Sequence, residues 1–226
     1  GDALGFYTVY HSDPYNQLIH FFGVPCITWA NQVILSHLTL PLPSYLSIAN
    51  MDSRNNIHFS YASLMTVFYV LFYLKIDRLG GILYTPFLYL SYRSAIHLTE
   101  QSKNHKILHH SKKKKSCNGS KTSADTSSTS WVGNGKAMKI AILVNFLCWF
   151  AQIVIGHNHL EGASPALSQS LGSALSVAPL FAYYEGLWFV GINTGLKAIA
   201  VENASILAKE LCEAGADLKS CAMLLR

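Results

Sequence analysis

Long apolar runs separated by short polar breaks dominate this sequence. The runs at 18–40, 139–155 and 171–192 are each long enough for a helix that crosses a bilayer. Two shorter runs, at 61–74 and 82–96, flank a polar turn at 75–81 and predict two tilted helices or a re-entrant hairpin. The pattern therefore predicts an all-α protein, a multi-pass transmembrane helical bundle with about four to five membrane segments.

Local signals predict where some helices begin. Asp13-Pro14 and Ser164-Pro165 each pair a capping residue with a proline suited to the first helical turn. After Lys197 the chain becomes amphipathic, with Ile199, Ile206, Leu207 and Leu211 among charged residues, which predicts a surface or interfacial helix.

Composition supports a membrane protein. Half of the 226 residues are hydrophobic and 13% are charged, whereas about a quarter are charged in typical soluble domains. Residues 97–137 hold eight Lys against two acidic residues, so this Lys- and Ser-rich segment carries the excess positive charge. Its composition predicts a disordered insertion and not a nucleic-acid-binding face.

These observations predict four regions. Residues 1–96 and 138–195 form the two halves of the membrane domain, 97–137 the disordered insertion, and 196–226 an amphipathic C-terminal helix and tail. Suppose that segments 18–40 and 139–155 each cross the membrane once, and that 61–96 enters and leaves on the same side. The chain after residue 155 is then on the side where it began. Residues just before the first crossing and just after the second then lie on the same membrane face.

Two histidine clusters lie at those positions. In the first, Asn16 and His20 are four residues apart on one helical face. His11 precedes that helix, and a chain reversal at Asp13-Pro14 would let it approach His20. Imidazole ligands in such a group suit a metal ion such as non-haem iron.

The second cluster adds a carboxylate. His157 and Glu161 are four apart and share a face if the segment is helical. His159 lies about 200° round an ideal helix from His157, so it joins the site only if the backbone is irregular there. The flanking Gly156 and Gly162 permit such irregularity.

Less specialised interpretations stay open for these residues. A histidine at a membrane boundary is commonly an interfacial hydrogen-bonding group. Glu185 lies inside a spanning run, where an ionisable residue indicates function by default. It fits equally a helix–helix hydrogen bond to Tyr183, Tyr184 or Asn193.

The clusters resemble the two signatures of the 2-hydroxy fatty acid dioxygenases, a family of multi-pass endoplasmic reticulum proteins. The resemblance covers about residues 4–96 and 138–192. The matching residues are Gly5-Phe6-Tyr7, Tyr10-His11, Pro14, Asn16, His20 and Gly23-Val24-Pro25 in the first block, and Gly156-His157, Leu160-Glu161-Gly162, Pro165-Ala166-Leu167, Ser170-Leu171, Ala178-Pro179 and Glu185 in the second.

The resemblance implies an enzyme that uses Fe(II) and O2 to shorten 2-hydroxy fatty acids by one carbon, the α-oxidation step of phytosphingosine and sphingolipid degradation. It implies His11, His20 and His157 as iron ligands, and we add His159 as a further metal-ligand candidate. Glu161 and Glu185 are the candidate catalytic residues, and Asn16 is a candidate for substrate binding. The expected partners are the 2-hydroxy fatty acid, O2 and the lipid bilayer, with no nucleic acid.

Two other classes of membrane protein can be compared with the sequence. A di-iron membrane hydroxylase needs several HxxxH or HxxHH boxes, and the sequence has none. A small membrane scaffold or transporter would use the histidines as interfacial or pathway groups, although a transporter should show repeated halves. Bound iron that is lost with His157 separates the enzyme from the scaffold.

Overall fold

The computed structural model describes residues 2–9, 11, 13–40, 60–116, 135–161 and 171–213. These residues form seven α-helices and no β-strand, which confirms the all-α prediction for this part of the chain. The helices are α1 (Asp2–Val9), α2 (Pro14–Ser36), α3 (Tyr61–Ile76), α4 (Arg78–Ser116), α5 (Lys136–Phe150), α6 (Leu171–Phe189) and α7 (Thr194–Glu213). A π-helical segment, Ala151–Glu161, continues α5.

The cap predicted at Asp13-Pro14 is confirmed. The Asp13 carboxylate accepts hydrogen bonds from the backbone N–H groups of Tyr15 and Asn16, at 2.8 and 3.1 Å. These N–H groups have no partner within the helix, so the side chain satisfies them and fixes the start of α2. The signal at Ser164-Pro165 lies outside the described residues.

The polar turn before Arg78 reverses the chain as predicted. Asp77 accepts a hydrogen bond from the backbone N–H of Leu79 at 3.0 Å, which caps α4. Tyr73 and Tyr84, at similar distances before and after this turn, contact each other with ring centroids 5.7 Å apart. The two shorter apolar runs therefore form a helical hairpin.

The chain divides into two compact units. The first comprises residues 1–28, 72–84 and 145–226, and the second residues 29–71 and 85–144. These two units differ from the four predicted regions, because α3 and α4, the helices of the hairpin, each contribute residues to both units. Helix α4 continues to Ser116, through the first part of the predicted disordered insertion. Residues 117–134 lie outside the described residues, so the proposed insertion and its boundaries stay a prediction.

Small residues and polar pairs hold the second unit together. Ala30 and Val33 of α2 pack with Ala95 of α4 and with Ala137 and Ala141 of α5. Such small side chains let helix backbones approach closely, as in membrane bundles. A buried Gln32 joins three helices, since it donates to Thr66 at 3.0 Å and accepts from Ser91 at 2.6 Å.

In the first unit, the first described helix packs against the last two. Helix α1 contacts α7 and α6, and an added Cβ on Gly5 would lie 2.8 Å from the Asn203 Cβ. The buried stripe of α7 consists of Ala200, Ala204 and Ala208. Of the four apolar residues from which the amphipathic helix is predicted, Ile199 and Ile206 are exposed, whereas Leu207 and Leu211 are half-buried.

Two helices are long and apolar enough to cross a membrane within the described residues. They are Pro14–Ser36 and the α5 segment Lys136–Leu160, of 23 and 25 residues. The apolar helix α3 has 16 residues and is short for a full crossing. The described residues thus contain two spanning candidates, fewer than the four to five segments predicted.

Candidate metal centre

Three histidines from distant parts of the sequence meet in the first unit. His11 lies between α1 and α2, His20 lies in the second turn of α2, and His157 lies in the π-helical segment. Their ring centroids are 4.5 Å apart for His11 and His20, 5.2 Å for His11 and His157, and 5.0 Å for His20 and His157. One ring nitrogen from each lies within 4.8 Å of the others. We call this group the histidine triad.

The break between α1 and α2 allows the first two histidines to meet. On one straight helix they would point to roughly opposite sides. Helix α1 ends at Val9 and α2 begins at Pro14, so His11 belongs to neither. The helix is therefore broken before Pro14, and the His11 ring lies against His20.

Local hydrogen bonds fix the orientation of two rings. Nδ1 of His11 lies 2.9 Å from the carbonyl oxygen of Tyr7, and Nδ1 of His20 lies 3.0 Å from that of Asn16. A carbonyl oxygen can only accept, so each Nδ1 carries the proton and donates. Nε2 of both rings then keeps its lone pair, which is the form that binds a metal ion.

The triad is buried, and two of its nitrogens have no protein partner. His11 and His157 are each 3% exposed and His20 is 8% exposed. Nε2 of His11 and Nδ1 of His157 make no hydrogen bond to any residue that the structure describes. Buried polar atoms are nearly always paired, so both nitrogens call for a partner, and Nε2 of His11, which carries a lone pair, needs one that accepts it. A metal ion meets this requirement.

The electrostatics of the site favour neutral imidazoles. Burial lowers the pKa of His11 well below its usual value, and the neighbouring His20 and His157 lower that pKa further. The Tyr7 carbonyl opposes these effects in part. His11 is consequently a neutral ring with a free lone pair near pH 7, as a metal ligand must be.

Aromatic side chains enclose the His11 ring. Tyr7 stacks on it with centroids 5.7 Å apart and planes within 5°, and Phe181 of α6 lies 5.5 Å away. Phe181 also contacts Trp188 at 5.9 Å. These rings exclude water from one side of the triad and give it an apolar wall.

Two glycines bring α2 and the π-helical segment together around the triad. Gly156 lies against the Asn16 side chain, so closely that a Cβ there would overlap its Oδ1. An added Cβ on Gly23 would lie 2.5 Å from Nε2 of Gln152. Asn16 and Gly23 precede and follow His20 by about one turn. Both close approaches therefore set the distance between His20 and His157.

The π-helical backbone is the irregularity expected around His157. Such i→i+5 segments are rare and are often found at functional sites. His159 is nevertheless exposed and lies outside the triad. The segment ends at Glu161, whose side chain lies outside the described part of the structure.

The remaining predicted site residues are buried. Asn16 is fully buried one turn before His20, on the same face of α2. Glu185 is 5% exposed in α6, one turn after Phe181. Their proposed roles in substrate binding and proton handling stay predictions.

Sequence reasoning did not identify Gln152, which is 4% exposed in the π-helical segment. Its Nε2 makes no hydrogen bond to the residues described, and the same holds for Nε1 of Trp188. The available signal was an amide inside an apolar run, five residues before His157. On an α-helix these positions are about 140° apart, so the signal depends on a π-helix that the pattern does not reveal.

Comparison with known proteins gives a consistent assignment. The family described as "2-hydroxy-palmitic acid dioxygenase Mpo1-like" matches residues 2–187, a range that contains the whole triad. The 2-hydroxy-palmitic acid dioxygenase MPO1 of Saccharomyces cerevisiae is 26% identical over 208 residues, which cover 92% of this chain and 91% of the yeast protein. No solved structure matches the chain. The resemblance noted in the sequence is thereby confirmed, and the chain belongs to the Mpo1-like family.

Proposed function

We propose that this protein is an Fe(II)- and O2-dependent dioxygenase that shortens 2-hydroxy fatty acids by one carbon. The observation that carries the proposal is the buried triad of His11, His20 and His157, with two ring nitrogens that make no hydrogen bond to the residues described. Family membership supports a 2-hydroxy fatty acid as the substrate class.

The triad would hold the iron. Three imidazoles suit iron, and they leave coordination positions for other ligands. Bound there, iron would supply a chelation site for the carboxylate and hydroxyl of the substrate and a position for O2. His159, exposed in the same segment, stays a predicted further ligand, and its removal should reduce the iron content if that prediction is correct.

The reaction balances without an external reductant. The bond between C1 and C2 of the 2-hydroxy acid breaks, and one O2 is consumed. The products are the acid shorter by one carbon, carbon dioxide and water, so the substrate supplies all four electrons that reduce O2. The protein therefore needs a site for one organic substrate, one metal and O2.

The side chains around the triad would orient the substrate and move its protons. Asn16 lies beside His20 and would contact the head group of the acid. Glu185, and Glu161 at the end of the π-helical segment, are the carboxylates proposed to accept or return a proton. Tyr7 and Phe181, packed on His11, would keep water away.

We further propose that the protein is an endoplasmic reticulum membrane protein with about four to five membrane segments. The exposed apolar residues of α5 support a lipid-facing surface, among them Ile142, Leu143 and Phe146. A membrane location also suits a substrate with a long acyl chain, which would reach the site from the bilayer.

The test is metal analysis together with an aerobic assay on 2-hydroxypalmitate. Wild-type protein should contain close to one iron per chain and release the one-carbon-shorter acid. His157→Ala should lose both. His37→Ala is the matched control, because His37, the residue after α2, makes the same kind of Nδ1 hydrogen bond, to Val33 at 2.9 Å, but lies outside the triad.

The outcomes separate the two function classes. Loss of iron and product in His157→Ala, with both retained in His37→Ala, supports the dioxygenase. Intact 2-hydroxypalmitate and no bound iron in wild-type protein after Fe(II) reconstitution would refute it. A membrane scaffold or transporter with interfacial histidines would then be the better interpretation.

A further inference from the structure

Two buried glutamines of this protein differ in how their amides are satisfied. Gln32 donates to Thr66 and accepts from Ser91, so its role is to join helices. Gln152 is equally inaccessible, at 4% exposed, but its Nε2 donates to none of the residues that the structure describes. A buried donor without an acceptor lowers the stability of the folded protein. Such a donor is therefore expected to have an acceptor other than the described residues.

The position of Gln152 places this donor between the two helical segments that carry His20 and His157. It precedes His157 by five residues, and residues five apart are neighbours along a π-helix. Its Nε2 also lies against Gly23, at 2.5 Å from where a Cβ would be. Gly23 follows His20 by three residues, on the same face of α2. The free donor therefore lies about one helical turn from the positions of His20 in α2 and His157 in the π-helical segment.

The absence of a side chain at Gly23 creates the space that this amide occupies. Any larger residue there would collide with the amide group of Gln152. The close approach thus holds the Gln152 side chain between α2 and the π-helical segment, and it limits the directions in which Nε2 can donate.

We propose that Gln152 binds the substrate, by donating a hydrogen bond from Nε2 to its carboxylate. This inference rests on the proposed function, which supplies a 2-hydroxy acid bound at the triad. The acyl chain of that substrate has no hydrogen-bond acceptor, so the polar head group is the part that can satisfy the amide. A bond to a carboxylate is charge-assisted and stronger than one between neutral groups.

Gln152 consequently selects acids over uncharged lipids of the same length. An alcohol or a diol accepts only a neutral hydrogen bond from the amide, whereas the carboxylate accepts a charge-assisted one. The iron ligands alone do not make this distinction as sharply, because a vicinal diol can also chelate a metal through two oxygens.

The experiment measures ligand affinity with iron-loaded protein kept free of oxygen, so that no turnover occurs. The probes are 2-hydroxyoctanoate and octane-1,2-diol, which share chain length and differ in the carboxylate. Gln152→Leu should weaken 2-hydroxyoctanoate binding by about tenfold to a hundredfold. Its affinity for the diol should change much less, and its iron content should equal that of wild type.

Gln32→Leu is the matched control for a structural role. It removes two hydrogen bonds that the fold uses, so it should lower the Tm of ligand-free protein while the Kd of 2-hydroxyoctanoate stays at the wild-type value. Gln152→Leu removes a donor that the fold leaves unused, so the Tm of ligand-free protein should stay unchanged or rise. The increase in Tm on adding 2-hydroxyoctanoate should shrink only in the Gln152 variant.

Wild-type affinity for 2-hydroxyoctanoate in an iron-loaded Gln152→Leu protein would overturn the proposal. If that variant does not fold, Gln152→Glu keeps the size of the side chain and places a carboxylate where the acid should bind. Unchanged binding in that variant would equally overturn it. If wild-type protein itself neither binds 2-hydroxyoctanoate nor shortens 2-hydroxypalmitate, the proposed function fails, which is a distinct result.

Discussion

His11, His20 and His37 share one local arrangement, in which Nδ1 lies within 3.0 Å of the carbonyl oxygen four residues earlier. This hydrogen bond orients a ring but does not make it a ligand, since His37 lies outside the triad. The distinguishing property is burial beside other imidazoles. Nε2 of His11 makes no hydrogen bond to the described residues, and a metal ion would give it a bonding partner.

The residues of the triad were predictable from sequence, but their bonding was not. Histidines beside apolar runs are costly to retain, which identified His11, His20 and His157. Which ring nitrogen stays free depends on carbonyl oxygens placed by the backbone, which the pattern does not give. The sequence pattern did not identify Gln152, because residues 152 and 157 lie on the same side of the helix only if the segment is π-helical.

We expect Gly156→Ala to disturb the site through packing alone. The added methyl group would overlap Oδ1 of the buried Asn16, and relieving such overpacking typically costs about 1–3 kcal/mol. His157 is the next residue, so the same displacement should lower the iron content. Thermal unfolding in detergent and metal analysis measure the two effects.

Gly195→Ala is the control for that substitution. Gly195 lies in the first turn of α7, and no atom is within 4 Å of an added Cβ. Alanine there should be neutral or stabilise the protein by about 0.5–1 kcal/mol. Wild-type Tm and iron in the Gly156 variant would show that the close approach at Asn16 is unimportant.

At the scale of helices, caps and turns were predicted well and packing faces less well. Asp13-Pro14 gave the start of α2, because capping is a local interaction between neighbours in sequence. The buried face of α7 was harder to predict, since hydrophobicity favoured the larger apolar residues, of which Ile199 and Ile206 are exposed and Leu207 and Leu211 are half-buried. Close approach of α1 at Gly5 instead selects the small residues Ala200, Ala204 and Ala208.

The turn between α3 and α4 is stabilised by two bonds to one carboxylate. Asp77 accepts from the Leu79 N–H at 3.0 Å and from the Tyr184 hydroxyl. We expect Asp77→Ala to lower the free energy of unfolding by about 1–3 kcal/mol, since the cap and a bond to a charged group are both lost. The midpoint of chemical or thermal unfolding in detergent measures this loss.

Tyr184→Phe separates the two contributions. It removes the hydroxyl and leaves the cap of α4 intact, so its loss of stability should be smaller than that of Asp77→Ala. Equal losses in the two variants would mean that the cap contributes nothing and that the bond between Tyr184 and Asp77 alone holds the turn.

For the whole molecule, the apolar runs gave the helical class and the order of helices but left the number of crossings open. Two helices of the described residues are long enough to span, and the hairpin around Asp77 returns the chain as the parity argument requires. That argument placed both histidine clusters on one membrane face. The meeting of His11 and His20 with His157 is what one shared site requires, and the membrane topology itself stays a prediction.

The outward surface of α5 provides the sharpest test of a bilayer location. Leu143 is 57% exposed, and Ile142, Phe146 and Leu147 are exposed with it. In lipid, a lysine near the centre of this helix costs about 2.5–3.5 kcal/mol. Leu143→Lys should therefore reduce the amount of protein that stays in membranes after alkaline carbonate extraction. In a protein surrounded by water, the same substitution would raise solubility, since it breaks an apolar patch.

Gln101→Lys adds the same charge at an exposed position of α4 beyond the apolar run, and it should leave membrane retention unchanged. Wild-type protein should resist extraction by carbonate and dissolve only in detergent. If Leu143→Lys instead gives more soluble protein without detergent, α5 does not face lipid. The acyl chain of the substrate would then have to reach the triad from water, and the case for a membrane enzyme would fail while the case for a metal centre would stand.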